Sequence, residues 1–300
     1  MNGSGALVRP FAARAAARPL RWLPEPLRSL QEELDARLAR VPTHLNEYGL
    51  DPFGASPAFL RTILLPFALL YRGWLRVETH GIERVPAGRV LLIANHAGNT
   101  FSYDGAMLSM AMLLEAEPPR MLRGMAEYYL PQIPWFTIFM HRAGSVVGTP
   151  ENCVQLLEHE EAVMVFPEGA RGFVKPYRKR YQLQRFGLGF MRLALETDTP
   201  IVPVGIVGAE EQSPALADVK WLGRLVGSPA FPLTPTFPWL GLAGFLPLPV
   251  KFRLRFGAPL RFEGDPSEED AAIEKKVEQV KNAIRELVAE GLAERQGWFR

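Results

Sequence analysis

"RVLLIANHAGNTFSYDGAMLSMAMLLE", residues 89–115, fixes how the chain is read. "RVLLIAN" (89–95) is a short, uniformly apolar run rich in β-branched and large aliphatic residues, the pattern of a strand buried on both faces. "DGAMLSMAMLLE" (104–115) is longer, free of internal breakers and rich in helix formers, so it reads as a helix. Between them lies a small polar loop with one histidine, His96, and one acid, Asp104. A strand that passes through such a loop into a helix presents loop side chains to a cleft.

The same alternation continues along the chain. Strands are expected at 119–124, 162–167 and 200–208, with helices at 150–160, opened by Pro150, and 186–197. Alternating short apolar strands and helices imply βαβ units. The expected fold is therefore α/β, a mostly parallel central sheet flanked by helices. Ligands of such sheets gather at the carboxyl ends of the strands. His96 and "PEGAR" (167–171) both directly follow strands, so they share one face.

Outside this unit the pattern differs. Leu27, Leu30, Leu34 and Leu38 follow helical spacing over 26–40. After the breaker-rich loop 48–57 comes an apolar helix at 57–75, expected to kink at Pro66 and suited either to a core or to a membrane interface. Residues 228–252 contain six prolines, too many for a regular helix. A strand at 251–257 and a long amphipathic helix at 266–294 close the chain. The organisation expected is a basic flexible arm (1–24), a helical N-terminal segment available for membrane docking (25–80) and an α/β domain (81–300).

Composition narrows the function. Of 300 residues 48% are apolar and 22% charged, ordinary for a globular protein. The single cysteine, Cys153, excludes an internal disulfide and any multi-cysteine metal site, and the five histidines show no metal-ligand spacing. Net charge is only +2, but it is segregated. Residues 1–24, 169–195 and 219–262 carry basic side chains and no acid. The third stretch mixes its basic residues with Trp, Phe, Leu and Pro, which favours a lipid surface over nucleic acid. The longest apolar run near the N-terminus, "ILLPFALLY" (63–71), is too short to span a bilayer.

Two constellations carry chemistry. Histidine is the usual general base near neutral pH, and a carboxylate on its second nitrogen fixes the tautomer and stabilises the imidazolium. Asp104 is the only acid between Glu83 and Glu115. Taken alone, Asp104 reads first as a helix cap and His96 as a hydrogen-bonded loop residue. "FPEGARG" (166–172) is a glycine turn after a strand, where backbone N–H groups and an arginine can hold a phosphate. The alternative is a surface turn with solvated charges.

The order "NH…D", "FPEGAR", "IVPVGIVG" resembles the glycerolipid (lysophosphatidate-type) acyltransferase family over residues 88–210. "HRAGSVVGTPENC" (141–153) is similar to its second motif. The resemblance implies that His96 and Asp104 are the catalytic dyad. It also implies that Arg142, Glu168, Gly169, Arg171 and Lys175 bind a phosphorylated acceptor. No metal or cofactor is implied; the acyl donor is acyl-CoA or an acyl-carrier protein, and the acceptor a lysophospholipid or glycerol phosphate. A neutral glycerolipid, glycolipid or alcohol acceptor, or a disabled lipid-binding protein, are the alternatives. The expected location is the cytoplasmic face of a membrane, peripheral or monotopic. One departure stands out: seven residues separate His96 from Asp104, where most members have four. The three extra residues are expected to bulge at Gly98 and Asn99 and leave the pair intact.

Overall fold

In the computed structural model, residues 23–99, 101–128, 135–225 and 231–299 are described. The basic arm expected over 1–24 lies outside them except for its last two residues. The chain forms β1 (Glu78–His80), β2 (Val90–Ala94), β3 (Leu122–Ala126), β4 (Val146–Val147), β5 (Ala162–Val165), β6 (Ile201–Val207), β7 (Ala217–Asp218), β8 (Pro232–Leu233) and β9 (Arg253–Phe256). Seven strands make one sheet in the order β1-β9-β6-β2-β5-β3-β4, and β7 pairs with β8 apart from it. Pairings from β6 through β2, β5 and β3 to β4 are parallel, whereas β9 runs antiparallel to β6. The sheet is thus mostly parallel, as the sequence implies.

Each central strand feeds two cores by alternation. In β2, Val90, Leu92 and Ala94 face one apolar cluster while Leu91 and Ile93 face the other. The first cluster is closed by α1 (Glu25–Ala39), α2 (Pro57–Leu69) and α3 (Tyr103–Leu114). The second is closed by α5 (Pro150–Glu158), α7 (Gly189–Glu196) and α9 (Asp270–Ala293), with the short helices α4 (Phe136–Arg142), α6 (Ala170–Phe173) and α8 (Lys220–Leu225) elsewhere. Ile273, Val277, Val280, Ile284 and Val288 are the buried stripe of α9. Gly205 of β6 lets that helix touch the sheet: a Cβ there would stand 2.7 Å from Leu287 Cβ and 2.9 Å from its backbone.

Several elements differ from expectation. The strand expected at 119–124 begins at Leu122, and β1, β4, α4 and α6 are too short for periodicity to reveal. The apolar helix starting at Pro57 ends at Leu69 and passes into a π turn over Leu70–Trp74, closed by Leu75 N–H donating to Leu70 O at 2.7 Å. Leu34, Leu38, Leu60 and Leu64 share one core with the sheet.

The loop before α2 is locked by charge. Asp51 accepts from the backbone N–H of Phe53 and Ala55 at 2.9 and 2.7 Å. Its other oxygen accepts from Arg123 Nη2 at 2.6 Å, and the same nitrogen reaches Glu161 at 2.7 Å. Arg123 and Asp51 side chains are each 1% exposed. Removing the guanidinium strands a buried carboxylate, so Arg123→Ala is expected to lose about 3–5 kcal/mol. Urea denaturation should show this as a lower midpoint; a loss under 1 kcal/mol would contradict it.

Candidate active site

The site forms where β2, β5 and β6 end. Asn95 closes β2 by donating to Ile206 O at 3.0 Å and accepting Ile206 N–H at 2.7 Å, which fixes the exit of the strand against β6. His96 follows, and its Nδ1 lies 2.7 Å from Asp104 Oδ2. The seven-residue spacer therefore keeps the pair in contact.

Asp104 sits in the first turn of α3, where the helix dipole favours an anion. It is fully buried and saturated with donors. Besides the imidazole, Oδ2 accepts Ala97 N–H at 2.8 Å, and Oδ1 accepts Gly105 N–H and the Ser102 hydroxyl, each at 2.8 Å. Burial pushes the carboxyl pKa up, but the charge and hydrogen bond of His96, with the Ala97 and Gly105 N–H groups, outweigh it and hold it below its ordinary value. An acceptor-only carboxylate requires Nδ1 to carry the proton, which leaves Nε2 as the basic nitrogen. The ring lies against Phe166, stacked at 4.1 Å between centroids, and beside Phe173 at 5.1 Å.

The extra spacer residues are anchored, not hanging free. Asn99 adopts φ +57° and donates through Nδ2 to Ser213 O at 2.6 Å. Gly98 accepts from Gln212 Nε2 at 3.0 Å, and a Cβ on it would stand 2.2 Å from the Phe173 ring. Glycine at 98 is thus required by close approach, while Asn99 supplies the left-handed turn.

The remaining expected site residues divide. Glu168 is buried and accepts His96 N–H at 3.1 Å and Gln184 N–H at 2.7 Å, so it clamps two loops together. Gly169, at φ +56° and ψ −150°, makes the turn into α6. Lys175 is buried, 2.9 Å from Glu210, and donates to Gln182 O at 3.2 Å. Arg142 ends α4, and its carbonyl accepts Ser56 N–H. None of Arg142, Glu168, Arg171 and Lys175 is among the residues lining the cavity beside His96. Only Arg171 is exposed with no ion-pair partner among the described residues. A buried Lys or Glu must be paired, and Lys175 and Glu168 find their partners internally.

That cavity has a volume of about 620 Å³, within the range of small-molecule sites. It extends from His96 between α2, α3, β3 and α4, with Leu60, Phe67, Met110, Phe139 and Met164 among its walls. Phe231, Phe237 and Phe245 line it from the proline-rich segment. Phe166 and Phe173, which hold the imidazole, lie inside the "FPEGARGF" stretch but gave no sign of that role in sequence.

A family model described as Acyltransferase matches residues 76–207, spanning both constellations. A protein of Mycobacterium leprae, carrying no assigned function, is 39% identical over 259 residues, 84% of this chain and 70% of that protein. The chain belongs to the acyltransferase family. A mouse protein named DGAT1/2-independent enzyme synthesizing storage lipids is 24% identical over 215 residues, covering 72% of this chain and 60% of its own. Among solved structures, the 1-acyl-sn-glycerophosphate (LPA) acyltransferase PlsC from Thermotoga maritima shares the fold. Its TM-score is 0.50 at 19% identity, over 80% of this chain and 83% of that one.

For an acyltransferase so arranged, Asp104→Asn removes both the tautomer lock and the counter-charge, and kcat should fall on the order of 10²–10⁴-fold. Stability follows the same bond. A carboxyl whose folded pKa is depressed stabilises the fold above its unfolded value near pH 4, and that contribution is lost as pH falls through the folded pKa. The variant should be less stable than the parent at pH 7, with the gap narrowing as pH falls below about 4 in urea titrations. A pH-independent gap would refute the assignment.

Proposed function

We propose that the protein transfers a fatty acyl group from an acyl thioester to a hydroxyl of a lysophospholipid or glycerol-phosphate acceptor at a membrane surface. The observation that carries this is the His96–Asp104 pair opening onto an apolar cavity wide enough for an alkyl chain. His96 Nε2 takes the hydroxyl proton as the acceptor oxygen attacks the thioester carbonyl. The C–O bond forms, the C–S bond breaks, and the imidazolium returns the proton to the departing thiolate. Asp104 offsets the charge on the ring. Ser102 already donates to Asp104 and the chain has no Gly-x-Ser-x-Gly elbow, so direct attack is favoured over an acyl-serine intermediate.

Arg171 is the group we assign to the acceptor phosphate, because its neighbours Glu168 and Lys175 are consumed by internal bonds. The same consumption favours a second reading, a neutral acceptor such as a partial glyceride. Purified protein given acyl-CoA with phosphorylated and dephosphorylated acceptors separates the two. Under the first reading the phosphorylated acceptor is used at least about tenfold better, and Arg171→Ala raises its KM by a similar factor. Equal use of both, unaffected by that substitution, would move the assignment to the neutral acceptor. Loss of transfer in His96→Ala tests the chemistry itself.

Membrane contact is supported by two segments that line the cavity from inside and expose apolar side chains outside. The 231–246 segment turns Phe237 and Phe245 inward while Trp239 (71%) and Leu242 (87%) stand exposed. In α4, Phe139 faces the cavity while Ile138 is exposed, as is Trp135 just before it. Tryptophan beside leucine suits a headgroup boundary. Among the described residues no helix is long and apolar enough to cross a membrane. Sedimentation with vesicles should fall several-fold in Trp239→Asp/Leu242→Asp, while activity on a short-chain soluble donor persists. Undiminished sedimentation would remove this face from the proposal.

A further inference from the structure

A second cleft, with a volume of about 430 Å³, is bordered by Glu211 of the loop after β6. It is lined by Arg178, Arg180, Arg295, Tyr181, Glu211 and Trp298, with Gln182 and Leu292 completing the wall. It belongs to the same end of the sheet as the active site. Glu211 lies in the loop after β6 whose next two residues hold the catalytic turn, through Gln212 Nε2 to Gly98 O and Ser213 O to Asn99.

The charges here are not balanced. Glu211 is matched by Arg295, whose Nη1 donates to it at 2.6 Å, and by the Tyr181 hydroxyl. Arg295 is 92% buried at its side chain, since only 8% is exposed, yet its Nη2 is buried with no hydrogen-bond partner. A guanidinium nitrogen so placed is costly unless something accepts from it. Arg178 and Arg180 are exposed and form no ion pair among the described residues. Arg180 lies 4.8 Å from the centre of the Tyr177 ring, and Trp298 meets that ring edge-on at 5.9 Å. The cleft therefore joins two guanidinium groups without ion-pair partners among the described residues, one of them against the Tyr177 ring, and a third with one unpartnered nitrogen, to an aromatic pair. Such a set fits phosphate groups attached to a heterocyclic base better than phosphate alone.

We propose that this cleft binds the phosphorylated nucleotide end of coenzyme A, which places an acyl-CoA donor with its thioester at His96. This rests on reading the chain as one that takes an acyl thioester, and it names the donor. The Arg178 and Arg180 guanidinium groups take the phosphates above the buried Arg295, and Trp298 stacks against the adenine.

The test measures coenzyme A binding to the full-length protein by calorimetry, beside Arg178→Glu/Arg180→Glu and Trp298→Ala. Both targets of the charge reversal are exposed, and acyl-pantetheine, which lacks the nucleotide, serves as the control donor. The expected results are about tenfold or greater loss of coenzyme A affinity in the double variant, a matching rise in KM for acyl-CoA, and unchanged use of acyl-pantetheine. Three results would overturn the assignment. They are unchanged coenzyme A affinity, inorganic phosphate displacing coenzyme A at equal concentration, or a loss confined to acyl-carrier protein as donor. Binding is read without turnover, and should survive in His96→Ala. Absence of acyl transfer would thus count against the catalytic reading alone, leaving this one to stand or fall on affinity.

Discussion

A carboxylate with no exposure to water is the constraint around which this site is organised. Asp104 pays its desolvation back only if every lone pair meets a donor, and the four donors come from Ala97, Ser102, Gly105 and the His96 ring. Three of those belong to the loop between β2 and α3, so the loop's path is dictated by the anion as much as by its own residues. Its far side is then held by β6 and the loop after it, through Asn95 to Ile206, Asn99 to Ser213 and Gly98 to Gln212. A longer spacer is tolerated because the extra backbone is hydrogen-bonded elsewhere, and the donor set around the carboxylate stays complete.

Glu168 solves a similar problem in another way. Its two oxygens accept from His96 N–H and Gln184 N–H, joining the loop after β2 to the chain beyond α6. An acid in this position fixes the backbone at His96. Gly172 completes the contact, since a Cβ there would stand 2.7 Å from Glu168 Cβ and 3.1 Å from His96 Cβ. Glutamine in place of Glu168 would present an amide to one of two donors, so the charge itself is part of the clamp.

Much of this was legible beforehand, for identifiable reasons. The parallel sheet follows from long, fully apolar runs such as "VLLIA" and "IVPVGIV", where every residue is buried. The His96–Asp104 contact follows from two unusual residues eight positions apart and from motif order. What could not be read was direction. Lys175, Glu168 and Arg171 lie within eight positions of one another, yet the first two turn inward to Glu210 and to backbone N–H groups while the third faces solvent. Charge runs in sequence do not distinguish these outcomes, because pairing is settled by partners from distant segments. The same limit hid Arg123, whose partners Asp51 and Glu161 are 72 and 38 positions away.

The cavity beside the dyad persists because its walls are short at the points where strands and helices come nearest. Gly105 and Ala106 open α3, and Gly124 opens β3, where a Cβ would stand 2.8 Å from Ser145 Oγ. Larger wall residues, such as Phe67, Phe139 and Phe245, come from elements outside the sheet. An apolar hollow of this size gives up packing that the fold would otherwise gain, and a filled core would be more stable. A chain that keeps its catalytic edge rigid through buried carboxylates can tolerate that loss next to them. Rigidity at the imidazole and emptiness beside it are two sides of one arrangement: the polar network and the Phe166 and Phe173 rings fix His96 while the apolar wall next to it stays unfilled.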